Sequence, residues 1–372
     1  MKTVIFDVDG VLLSEKRYFD VSALTVWEWY YSPSFMNLGH ETVRAELTDE
    51  EIDALRARFW LDDAILIWLK KHGVNSNWDM THAHIVATLW MLLEQYKADG
   101  HSLDDIVIES MADVCALGRR LQGYAVPDAA AVMERLAGAV PDDAGKDDVF
   151  AYLTKAIEAS LGIAAPWSAL DSPLWQRHFE AFQEWYFGDE LYEQTYGKAP
   201  HAPGKEGFLR REVPLGTAEG IRRMFQELKR RGYALAIATG RSYMEMAVPF
   251  AAYHWDEEFD PRHVATYTDV EEASEMLGLS LDKPNPFAYY AGAFGTYPER
   301  YAEYVSRPDE FKDGEYYIVG DSMADIWCAK AMGAVMIGTL TGLDGLAARA
   351  MFEAEKADYI VDSVEDILNI LK

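Results

Sequence analysis

Strand-like sequence occurs at the two ends of this chain and not between them, and that asymmetry limits what the chain can fold into. One β-branched run, TVIF (Thr3–Phe6), stands at the N-terminus. After about residue 212 come YALAIAT (Tyr233–Thr239), HVATYT (His263–Thr268), EYYIVGD (Glu315–Asp321), AVMIGTL (Ala334–Leu340) and DYIVD (Asp358–Asp362). Each is a near-continuous apolar run, the pattern of a parallel strand buried on both faces. Helical stretches lie between them. GTAEGIRRMFQELKRRG opens on a capping residue, Thr217, and closes on Gly232 after a basic last turn. SVEDILNILK closes the chain. This alternation predicts an α/β, Rossmann-like, doubly wound parallel sheet.

The middle reads as helix. TDEEIDALRARFW begins with a capping-box pattern, Thr48 with Glu51. SLDDIVIESMADVCALGRRL, KDDVFAYLTKAIEASL and SPLWQRHFEAFQEWYF carry apolar residues at helical spacing. AVPDDAGKDD (139–148) and APHAPGKEG (199–207) read as linkers, the second marking the return to the α/β part. The expected organisation is a core of residues 1–14 and 212–372, with residues 15–211 inserted as a large all-α domain. That insertion leaves the core at the end of the first strand. Ligands of open α/β sheets bind at the carboxyl ends of strands, so a domain inserted there would act as a lid.

With 372 residues and 50% hydrophobic content, the chain can build two cores. No apolar run approaches the ~20 residues that span a bilayer, so no membrane partner is expected. Met1-Lys2 leads straight into a strand without a secretory pattern, and the two cysteines, Cys115 and Cys328, are too few for a disulfide framework. An intracellular, cytoplasmic protein is the expectation. The net charge of −28 argues against nucleic acid, whose phosphates require a basic surface. An anionic small molecule would need a metal or a few local cations.

Four polar clusters fall at predicted strand ends, in chain order: Asp7-Val8-Asp9-Gly10, Thr239-Gly240-Arg241, Lys283 in LDKPNPF, and Asp321 with Asp325 in VGDSMAD. Singly each has a bland reading: a polar turn, a helix start, a loop lysine, an N-cap. Together they supply carboxylates, a hydroxyl, backbone N–H groups and a positive charge, which is the equipment for moving a phosphoryl group.

In this ordered set, D-x-D-G-V, T-G-R, K-P-x-P and G-D-x-x-x-D, the chain resembles the haloacid dehalogenase (HAD)-like hydrolase superfamily. The resemblance covers residues 1–14 and about 212–372. It implies that Asp7 is the nucleophile that forms an aspartyl-phosphate and that Asp9 is the general acid and base. It implies a Mg²⁺ ion held by the Asp7 carboxylate, the Asp9 backbone carbonyl and the Asp321 carboxylate, with Asp325 behind the ion or reaching it through water. Thr239 and the Gly240 amide would bind phosphate, and Lys283 would neutralise the phosphoryl oxygens. Arg241 would reach substrate or serve the structure. Relatives that cleave carbon–halogen or carbon–phosphorus bonds lack the second aspartate, so Asp9 directs the reading to phosphate esters.

The interval from Thr239 to Lys283 holds a strand and two helices, which leaves the insertion as the one candidate cap. Nine of the eleven tryptophans lie in it, as an aromatic core or an aromatic substrate pocket. Arg17 and Tyr18, on the way into the insertion, are candidates to face the leaving group. His82 and His84 resemble a metal pair, but positions two apart on a helix point to different sides, which favours separate core roles. The reading is a Mg²⁺-dependent phosphatase of a small-molecule phosphate monoester. The alternatives are a phosphomutase of the β-phosphoglucomutase type and a non-catalytic binding protein on the same scaffold.

Overall fold

The computed structural model describes residues 2–311 and 314–372. Its contacts divide the chain into two compact units, Met1–Lys16 with Leu209–Lys372, and Arg17–Phe208.

The first unit is an α/β structure. Six parallel strands lie in the order β3-β2-β1-β4-β5-β6, where β1 is Lys2–Phe6, β2 Tyr233–Ala238, β3 Val264–Ala265, β4 Glu315–Gly320, β5 Val335–Thr339 and β6 Tyr359–Val361. The N-terminal strand is thus central: Val4 pairs with Leu235 on one side and Tyr317 on the other. Side-chain alternation sends its residues to opposite faces. Val4 and Phe6 pack with Ile237, Val319, Met224 and Phe225, under the helix Ala218–Arg230. Ile5 packs with Ala236, Ile318, Tyr289 and Ile326, under the helices Phe287–Phe294 and Met323–Met332. A sheet covered on both faces explains why its strands are apolar without a break. The chain order reverses at β1, between β2 and β4, which is the point where doubly wound sheets open a crevice.

HVATYT is half strand and half helix. β3 stops at Ala265 because Thr266 caps the helix Tyr267–Leu277, its N–H and hydroxyl both donating to Asp269 Oδ2 at 2.8 Å. The second unit is helical. SLDDIVIESMADVCALGRRL is helical only over Met111–Arg120, because Ser110 and Asp113 form a capping box that starts the helix there. The capping box of Thr48 and Glu51 is present, with both reciprocal bonds made. Trp29, Trp60 and Trp185 are fully buried, and Trp27, Trp90 and Trp167 nearly so. The aromatic content of this unit is mainly its core.

The segment 199–207 is not a free linker. Glu184 accepts from the amides of His201 and Ala202 at 2.6 and 3.1 Å, and Asp189 from those of Gly204 and Lys205 at 2.6 and 3.2 Å. The ammonium of Lys205 is buried against Glu28 at 3.1 Å and Glu184 at 3.2 Å, over the Trp185 ring.

His82 and His84 take different partners. His82 meets His178 at 2.8 Å and the carbonyl of Ser168, whereas His84 donates to the carbonyl of Phe59 at 2.8 Å. Burial depresses both imidazoles to about 4. The sign of the consequence is fixed. Below its ordinary value of 6.5 the unfolded chain binds a proton that the folded one refuses, so stability is lost as pH falls from 6.5 toward 4. A His84→Gln variant keeps a donor for Phe59 without the titration. Between pH 7 and pH 5 the wild type should lose about 2 kcal/mol more than this variant, by urea unfolding at each pH. Equal losses would contradict the assignment.

Candidate functional site

The site is built at the carboxyl ends of β1 and β4. The Asp7 amide continues the pairing of β1, donating to Val319 O at 2.9 Å. The chain then turns tightly: the amides of Val11, Leu12 and Leu13 all donate to Val8 O. Gly10 sits at φ +70°, and a Cβ there would fall 2.0 Å from Asp321 Oδ2. A Cβ on Gly342 would fall 1.9 Å from the same oxygen. Two glycines from different loops therefore make the space that the Asp321 carboxylate occupies.

Lys283 joins the two halves of the cluster. Its ammonium lies 2.8 Å from Asp7 Oδ2 and 3.0 Å from Asp325 Oδ1. Asp325 is completely buried, and both of its oxygens are engaged. Oδ1 also accepts from the Tyr289 hydroxyl at 2.6 Å, and Oδ2 accepts from the amides of Asp321 and Ser322 and the Ser322 hydroxyl. Asp325 thus holds Lys283 and shapes the Asp321 turn. Tyr289, Ser322 and Gly342 escaped the sequence reading. The S-x-x-D spacing of a capping box signals Ser322; nothing local signals the other two.

The electrostatics follow from crowding. Burial raises Asp7 to about 7, with Lys283 opposing and Asp325 adding to the rise. Desolvation and the neighbouring Asp325 and Asp7 hold Asp321 well above the carboxylate range. Burial also acts to raise Asp325, but Lys283 and its hydrogen bonds outweigh it and bring it below its ordinary value. One oxygen each from Asp7, Asp321 and Asp325 lie within 4.8 Å of one another. Fully ionised, three carboxylates facing one ammonium would carry an excess of two negative charges, so burial and this excess together make Asp7 and Asp321 hold their protons firmly when no metal cation is near. Clustered hard oxygens with that excess fit a hard divalent cation such as Mg²⁺.

The remaining residues fall in two places. Thr239 is buried at the end of β2, its Oγ1 accepting from the Arg241 amide at 3.1 Å. Gly240 is exposed, in the turn before Ser242, which caps the helix Tyr243–Ala252; its amide is therefore not one of that helix's first amides. Arg241 is buried and its guanidinium is directed at Asp9, with Nε at 3.0 Å and Nη2 at 2.6 Å from Oδ1. Arg17 and Tyr18 belong to the helical unit. There Arg17 pairs with Asp20 and Asp49 and lies over Phe208, and Tyr18 packs on Tyr186.

The model of the HAD-hydrolase-like family matches residues 281–367, the stretch that carries Lys283, Asp321 and Asp325. The chain belongs to the HAD-like hydrolase superfamily. This HAD-like chain is 33% identical to a protein whose X-ray structure was solved by the Northeast Structural Genomics Consortium, with a TM-score of 0.87 over 100% of this chain and 98% of that one. It is 29% identical over 156 residues to pyrophosphatase PpaX of Bacillus mycoides (strain KBAB4), which is 41% of this chain and 59% of that protein. The match to pyrophosphatase PpaX of Bacillus cereus (strain AH820) is 29% over 155 residues, 41% and 58%. The HAD-like chain therefore spans about three-fifths of these curated relatives. Among the described residues of this HAD-like protein, no helix is long and apolar enough to cross a membrane.

Proposed function

We propose that this chain is a Mg²⁺-dependent phosphatase that hydrolyses a small-molecule phosphate monoester through an aspartyl-phosphate on Asp7. The carrying observation is the Asp7–Lys283–Asp325 arrangement beside Asp321. In this reading Asp7 attacks phosphorus, and Lys283, 2.8 Å from its carboxylate, offsets the charge that develops on the phosphoryl oxygens. Asp9 donates a proton to the leaving alcohol and later takes one from water. Thr239 and the Gly240 amide bind phosphate. The Asp7 and Asp321 carboxylates and the Asp9 carbonyl hold Mg²⁺, with Asp325 supporting them. When bound, the ion supplies charge that lets an anionic nucleophile approach an anionic ester. The insertion that leaves the core after Lys16 is our candidate for the part that selects the ester, with Arg17 and Tyr18 at its start.

The test is phosphate release from a panel of phosphate monoesters, with Mg²⁺ or chelator, beside Asp7→Asn. Mg²⁺-dependent release that Asp7→Asn abolishes supports the reading. Mg²⁺ binding with no release from any ester would overturn it and favour the phosphomutase or the non-catalytic scaffold. Gly342→Ala separates the metal site from the chemistry. Its methyl displaces Asp321 Oδ2, so Mg²⁺ affinity measured by calorimetry should fall at least about tenfold. Unchanged affinity would remove Asp321 from the ligand set.

A further inference from the structure

We propose that Arg241 is a positioning residue that fixes the Asp9 carboxylate for proton transfer, and that Glu212 is the strut that holds Arg241. The inference rests on the phosphatase reading of Asp7 and Asp9. Both bonds from Arg241 fall on Asp9 Oδ1. Among the described residues, Asp9 Oδ2 accepts no hydrogen bond. One oxygen is clamped and the other is left to carry a proton.

The clamp is itself held from behind. Arg241 Nη1 donates to Glu212 Oε1 at 3.1 Å and to the carbonyl of Glu245 at 3.2 Å. The Arg241 carbonyl accepts from the Tyr267 amide at 2.8 Å, which pins its backbone. The side chains of Arg241 and Glu212 are 1% and 0% exposed, so the pair cannot swing into solvent. A guanidinium aimed by two acceptors on one side presents its remaining N–H groups in a fixed direction on the other.

Glu212 also lies at a telling place in the chain. The connection that leaves the core and the one that returns to it run together: Ser14 N donates to Val213 O at 2.8 Å and Leu215 N to Leu12 O at 2.9 Å. Asp9 stands at the start of the outgoing segment, bridged to Leu13, and Glu212 on the returning one, with the Tyr253 hydroxyl on the Glu212 carbonyl. Arg241 bridges them.

A buried ion pair that serves stability alone would slow all substrates alike. A residue that positions the general acid acts on the leaving group. Alkyl phosphates need a proton on the departing oxygen; p-nitrophenyl phosphate does not. The experiment compares kcat/KM for an alkyl and an aryl phosphate in wild type, Arg241→Met and Glu212→Gln. Because kcat/KM reports steps through phosphoryl transfer, the later hydrolysis of the aspartyl-phosphate does not enter. Arg241→Met should lower kcat/KM on the order of 100-fold for the alkyl ester and less than about tenfold for the aryl ester. Arg241→Lys should restore part of the difference. Glu212→Gln, which keeps an acceptor and removes one buried charge, should show the same selectivity more weakly, and it serves if Arg241→Met does not fold. Equal losses on both esters in each folded variant would overturn the proposal while leaving the phosphatase reading intact. No release by the wild type from either ester would overturn both.

Discussion

Asp325→Ala should cost about 3–5 kcal/mol of stability and abolish turnover together, because one buried carboxylate serves both. Its removal leaves the amides of Asp321 and Ser322, the Ser322 hydroxyl and the Tyr289 hydroxyl without their acceptor. Lys283 loses one of its two carboxylate partners. One effect runs the other way: Asp325 raises Asp7 and Asp321 by repulsion, and that repulsion goes with it. The orphaned buried donors outweigh the relief, since each unsatisfied group costs about 1–3 kcal/mol. Chemical unfolding measures the first part and phosphate release by folded protein the second. A stable variant that still turns over would show that Lys283 holds its position without Asp325.

Lys205→Met should be as costly, about 3–5 kcal/mol, with the damage confined to the helical unit. Glu28 and Glu184 are buried on either side of the ammonium. Burial already raises Glu28 to about 7 even with Lys205 opposing. Without the cation both carboxylates lose their charge partner, and Glu184 must also keep the amides of His201 and Ala202. Adding Glu28→Gln should recover part of the loss, which a double-mutant cycle by urea unfolding resolves. If the single variant unfolds like the wild type, the cluster is not what holds the 199–207 segment.

The architecture was legible where burial on two faces forces a simple pattern. TVIF, YALAIA and EYYIVG are uninterrupted because helices cover both sides of the sheet. HVATYT misled because Thr266 starts a helix inside an apolar run. SLDDIVIESMADVCALGRRL is helical over only its second half, because its apolar spacing begins upstream of the cap at Ser110. At the site, Asp7 and Asp321 stand where β1 and β4 end, and the strand supplies their direction. Lys283, expected at a strand end, instead lies in the turn between the helices Tyr267–Leu277 and Phe287–Phe294, and Asp325 lies in the helix Met323–Met332. Asp7, Lys283 and Asp325 come together only through the fold. Tyr289, Gly342 and Glu212 were not readable. Their roles depend on a neighbour distant in sequence: Asp325 for the tyrosine, Asp321 for the glycine, Arg241 for the glutamate.

In the proposed reaction Asp7 carries the phosphoryl group. The most direct measurement is acid quench of a single turnover with Mg²⁺, followed by mass spectrometry of the digested protein. The expected result is one transient phosphoryl group on the peptide that contains Asp7, absent with chelator and in Asp7→Asn. Phosphate release with no covalent intermediate, or with the phosphoryl group on another residue, would contradict it.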